Sequence, residues 1–98
     1  MLFATSAHAG AYELGAAKGL MIAGILHEKC TGKAPLPNET ERQYRALLMQ
    51  GFSDQDIKRG FAEGIIYAEG TYPRGTRPPK SECKEAVAMY RQTLKLIQ

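Results

Sequence analysis

Apolar residues recur at three- and four-residue intervals along most of the chain, and glycines and prolines divide this helical pattern into four stretches. The most fully punctuated stretch runs from Phe52 to Gly70. Ser53 is placed to cap its N-terminus by accepting an amide proton near Asp56, while Asp54 and Asp56 set negative charge at the positive end of the helix dipole. Phe52 and Ile57 occupy the positions of a hydrophobic staple. Ile57, Phe61, Gly64, Ile65, Ala68 and Tyr72 then form the expected inner face, with Gly70 as the stop.

The other three stretches follow the same logic. Ala11 to Cys30 is small and apolar on most of its circumference, as expected for a first helix covered by its neighbours. Gly32, Pro35 and Pro37 interrupt it. Asn38 is expected to cap a second helix, in a box-like pattern with Glu41, and Tyr44, Leu47 and Leu48 to form its inner stripe. Gly51 suits a left-handed stop, so a tight corner joins this helix to the one after Ser53. Thr71 to Lys80 contains three prolines and a glycine and reads as the longest loop. Ser81 is then expected to cap a last helix whose stripe is Cys83, Val87, Tyr90, Leu94 and Ile97. No alternating strand pattern occurs. The expected fold is all-α, a compact single domain of about four helices.

Two glycine pairs stand at four-residue spacing, Gly15 with Gly19 and Gly60 with Gly64. Each glycine inside a helix costs about 1 kcal/mol relative to alanine, and close helix packing offsets that cost. The pairs are therefore expected to face one another, Gly15, Gly19 and Ala23 against Gly60, Gly64 and Ala68. The alternative is that one glycine face meets a second chain in a homodimer.

Composition narrows the class. With 98 residues, 44% hydrophobic and 23% charged, the chain is an ordinary globular domain with a modest core. The net charge of +3 comes from interleaved signs without a basic, aromatic run, so nucleic acid is not the expected partner. Glu13, Lys18, His27 and Glu28 leave the first helix too short an apolar run for a membrane span.

Residues 1–9 end in Ala7-His8-Ala9, the small-x-small pattern of a signal-peptidase site, and read as the remnant of a cleaved export signal ahead of a domain covering 10–98. Translation is then expected to start upstream, since neither a basic region nor a long apolar stretch fits before Ala7. A periplasmic or secreted location follows. In such a compartment Cys30 and Cys83, the only cysteines, are expected to pair and to tie the end of the first helix to the start of the last. In the cytosol they would be two thiols.

Candidate chemistry is sparse. His27 and Cys30 share a helix face and, with Cys83, offer three ligands for zinc or a thiol–imidazole pair. A disulfide beside a surface histidine is the favoured reading, so no metal, cofactor or catalytic residue is assigned. Glu63 and Glu69, six apart, fall on different faces and make no acid/base pair. The Tyr72 to Lys80 loop is the best contact surface, because Tyr72, Arg74, Arg77 and Lys80 combine aromatic and cationic groups favoured at protein interfaces.

The order Cys30, Gly60-Phe61-x-x-Gly64, Pro78-Pro79, Cys83 and an amphipathic helix to Ile97 resembles the periplasmic amidase-immunity proteins of type VI secretion, over about the last half of the chain. Small exported periplasmic acid-stress chaperones, clamped by one disulfide, are a fainter likeness. The first resemblance implies a non-catalytic protein that inhibits a cell-wall hydrolase by occluding its cleft. A periplasmic chaperone or envelope-assembly subunit is the alternative. From another class, the alternative is a small thiol- or metal-dependent enzyme using His27, Cys30 and Cys83.

Overall fold

A computed structural model describes residues 2–97, with side chains from Tyr12 to Ile97. Four helices account for the regular structure: α1, Leu2–Thr31; α2, Glu39–Met49; α3, Asp54–Thr71; and α4, Lys80–Ile97. No strand occurs among the described residues. The all-α, four-helix expectation holds. The export-signal reading of residues 1–9 rests on side chains outside those described.

The helix ends show which local signals act. Ser53 accepts from the Asp56 amide at 3.2 Å, and Ile57 beneath it is fully buried beside a half-buried Phe52, as the cap and staple require. Gly32 (φ 71) and Gly51 (φ 93) take the left-handed conformation that ends α1 and α2.

Three ends differ from expectation. Asn38 precedes α2 in a left-handed conformation (φ 58) and its side chain caps nothing. Glu39, the first residue of α2, instead holds the incoming chain, its carboxylate accepting the Leu36 amide at 3.3 Å. Ser81 lies inside α4, which starts one residue earlier, with the Cys83 amide donating to the Pro79 carbonyl at 2.9 Å. Gly70 does not stop α3, which runs to Thr71 and closes through the Tyr72 amide on the Ala68 carbonyl. The backbone of α1 also starts nine residues before the expected Ala11.

α1 is the central post. α3 runs parallel to it, Gly60 beside Leu14, Ala17 and Lys18 and Gly64 beside Lys18 and Met21. α4 runs antiparallel on another flank, from Cys83 at Cys30 through Tyr90 at His27. α2 packs mainly on α4, with smaller contacts to α1 and α3, and the backbones of α3 and α4 stay apart among the described residues. The main cluster is Ala17, Leu47, Ile57 and Phe61, with Leu20, Met21, Tyr44, Phe52 and Leu96 packed on it. Among the described residues no helix is long and apolar enough to cross a membrane.

The glycine pairs do not face each other. A Cβ on Gly60 would lie 2.6 Å from the Ala17 Cβ and 2.7 Å from the Leu14 carbonyl oxygen, so this notch does admit the α1 backbone. Gly15 and Gly19, however, have nothing within 4 Å of the equivalent point among the described residues. They floor an open apolar groove of about 410 Å³ bounded by Met89 and Leu96 of α4.

Two expected inner positions, Ile65 and Leu48, are 45% and 39% exposed. The rotation of α2 that the Glu39 contact selects buries Gln43 instead, and the Gln43 Oε1 has no hydrogen-bond partner among the described residues. In α4, Tyr90 is buried with Ala86 and Thr93, while Cys83, Val87, Leu94 and Ile97 are half-buried. The stripe is thus centred slightly to one side of the expected line.

Candidate functional site

Cys30 and Cys83 form the disulfide, with Cα atoms 5.6 Å apart. It joins the C-terminal end of α1 to the first turns of α4, as the sequence requires, and its surroundings are cationic. The loop between α3 and α4 is folded down onto it. A turn at Pro73 receives the Thr76 amide at 2.9 Å, and Gly75 supplies the φ of 86° that the turn needs. Pro78 is buried. Arg77 reaches back to donate from Nη2 to the Cys30 carbonyl at 2.8 Å, satisfying one of the last acceptors of α1.

Beside the disulfide this arrangement leaves an open concavity of about 520 Å³. Its floor is Cys30, Cys83, Val87 and Ala88, and its rim is Arg77, Lys80, Lys84 and Arg91. No acidic residue lines it. The salt bridges among the described residues are Lys29–Glu69, Arg45–Glu41, Lys58–Asp54 and Arg59–Glu63, so none of the four rim cations is neutralised by a neighbour. The acids of α4, Glu82 and Glu85, lie on its other side, along the groove bordered by Ile22, Leu26 and Tyr67. α4 therefore separates charge, basic toward the disulfide and acidic toward α3.

The four residues expected to bind a partner divide between three places. Arg77 and Lys80 share the basic concavity. Arg74 lines a different cleft, together with Glu28, Lys29 and Glu69. Tyr72 is half-buried in the groove between α1, α3 and α4. Lys84 and Arg91, on α4 rather than in the loop, join Arg77 and Lys80 there and were not among the residues expected from the sequence. The signal was present, since positions 80, 84 and 91 recur at four and seven residues and share a helix face.

A second polar group lies inside the bundle. The buried Glu39 carboxylate accepts from the Tyr90 hydroxyl and the Leu36 amide, and the His27 ring stacks on Tyr90 with centroids 4.0 Å apart. Burial, reinforced by Glu39, pushes Tyr90 up to about 12. Burial and nearby Lys33 hold His27 below its ordinary value, against the opposing pull of Glu39. His27 is thus a half-buried packing residue rather than the surface histidine expected. Because Glu39 and Tyr90 are buried, this cluster fastens helices together and offers no surface to a substrate.

Both sulfurs are engaged in the disulfide, so the thiol alternative has no thiolate while that bond is intact. No group of three or more His, Cys, Asp or Glu residues converges on a metal position among the described residues. Compared with protein-family models, characterised proteins and solved structures, the chain has no match.

Proposed function

We propose that this chain is a small, exported, non-catalytic binding protein that grips an acidic surface of a protein partner through the basic concavity beside its disulfide. The observation that carries this reading is the set of four uncompensated cations, Arg77, Lys80, Lys84 and Arg91, around an apolar floor. Cations left without internal partners accelerate encounter with an acidic surface and select against basic ones. The apolar floor gives an inserted side chain something to bury. In the specific form of the proposal the partner is a cell-wall hydrolase, and the chain acts as its inhibitor or immunity protein.

The test is a pull-down from periplasmic extract with residues 10–98, comparing the native chain with Lys84→Glu/Arg91→Glu. Both positions are exposed, so the fold is retained. The native chain recovers a partner, and the double variant loses it. Equal recovery by both overturns the assignment of the surface. Adding the native chain to the recovered partner should stop peptidoglycan hydrolysis. A partner without that activity leaves binding intact and replaces the immunity role with that of a chaperone or envelope-assembly subunit.

A further inference from the structure

The geometry points to redox control of the basic concavity: the Cys30–Cys83 disulfide assembles this surface, and its reduction by a dithiol takes the surface apart. This rests on the concavity being the partner-binding surface. The two cysteines are the points through which the cations are held in register. Arg77 is fixed by the carbonyl of Cys30 itself, at 2.8 Å. Lys80 and Lys84 flank Cys83 on the same helix, at three residues before and one after. Arg77 is therefore anchored on α1 and the lysines on α4, and the bond between the two sulfurs is the covalent tie between α1 and α4 at the site itself, beyond the packing of His27 on Tyr90 farther along the helices.

The bond is also reachable. Cys30 is buried, at 6% exposure, but Cys83 is half-buried and lies on the floor of the open concavity. The surrounding cations draw thiolates toward it. Attack therefore falls on Cys83. The reductant's thiolate bonds to the Cys83 Sγ, the bond between the two protein sulfurs breaks, and its electron pair goes to the Cys30 Sγ, which takes a proton from water. The second thiol of the reductant then gives up its proton and attacks the mixed disulfide. That step releases the Cys83 thiolate and leaves the reductant as its own disulfide.

The Pro78 carbonyl oxygen lies 3.4 Å from the Cys83 Sγ. A disulfide sulfur has no proton to donate, so this is only a contact in the oxidised chain. After reduction the Cys83 thiol has a proton and can donate it to Pro78. Reduction thus frees Cys83 from α1 and gives it a partner in its own loop, which loosens the start of α4 from the Cys30 carbonyl that holds Arg77. The oxidised chain is the binding form, and the chain is inactive until its cysteines have met an oxidising compartment.

The experiment uses a fluorescein-labelled oligoglutamate peptide as probe and follows its anisotropy at low salt. The oxidised chain, the chain reduced with dithiothreitol, and Cys30→Ser/Cys83→Ser are compared, with helicity followed by circular dichroism and free thiols by alkylation mass. To offset part of the stability lost on reduction, the series is repeated with Gly15→Ala/Gly19→Ala, positions with open space around them among the described residues and remote from the concavity. Reduction should weaken probe binding by about tenfold or more while helicity is retained. Binding unchanged within about twofold, with two alkylatable thiols present, overturns the redox proposal and leaves the surface assignment standing. Loss of binding that tracks loss of helicity in the Gly15→Ala/Gly19→Ala chain overturns it as well, since the bond then acts on the whole fold. If the oxidised chain does not bind the probe and Lys84→Glu/Arg91→Glu changes nothing, the surface assignment falls first and takes this proposal with it.

Discussion

Single residues in this protein are decided by what stands within a few ångströms of them, and the glycines show it most directly. Gly60 and Gly64 face α1 backbone and Cβ atoms so closely that an added methyl would lie 2.6 and 2.8 Å from the nearest of them. Rigid backbone cannot yield as a side-chain tip can, so Gly60→Ala should destabilise by about 1–3 kcal/mol despite the better helix propensity of alanine. Gly15→Ala and Gly19→Ala meet open space and should each stabilise by up to about 1 kcal/mol. Urea denaturation of the single variants checks both signs. Tyr90→Phe should cost about 1.5–3 kcal/mol, because it removes a hydroxyl donor from the buried Glu39 carboxylate. A thermal melt unchanged by that substitution would contradict the role given to the pair.

At the scale of elements, the junction of α1, α2 and α4 should make stability depend on pH. His27 is held below its ordinary value of 6.5 mainly by burial, so the folded state favours the neutral ring. The unfolded chain then binds the extra proton first. The contribution is complete above 6.5 and declines as pH falls below it toward the lower folded value. Denaturation midpoints measured between neutral and mildly acid pH should therefore fall on acidification, and His27→Gln should flatten that slope. The loop between α3 and α4 behaves as part of the fold as much as of the surface. Arg77 is tied to Cys30, so Arg77→Ala should lower the melting temperature, whereas Arg74→Ala should leave it nearly unchanged.

At the scale of the whole molecule, one covalent link spans 53 residues of sequence. On the chain-entropy account such a loop is worth roughly 4 kcal/mol, a large share of the ~5 to 15 typical of a domain. Cys30→Ser/Cys83→Ser should lose stability of that order in urea titration, and reductant should no longer affect the variant. The principal axes of 45, 26 and 19 Å describe an elongated bundle organised along α1, and the long groove over Gly15 and Gly19 follows from it. α3 and α4 each pack on α1 while their backbones stay apart among the described residues, leaving between them the groove lined by Ile22, Leu26, Tyr67 and Glu85.

The number of helices, the corner at Gly51, the Ser53 cap and the long loop are legible in the sequence, and the pairing of Cys30 with Cys83 follows from it once an oxidising compartment is granted. These depend on signals a few residues apart, or, for the cysteines, on there being two of them. The tertiary structure alone decided how each helix is turned about its axis. A periodic pattern says which residues share a face and is silent on what that face meets. For that reason Gly15 and Gly19 were legible as a small-residue stripe but not as an open one, and Glu39 and Tyr90, 51 residues apart, gave no sign of being partners. The basic concavity belongs to the same class. Lys80, Lys84 and Arg91 were legible as one helix face, but only the packing of α4 on α1 brings Arg77 to its edge and turns Glu82 and Glu85 away.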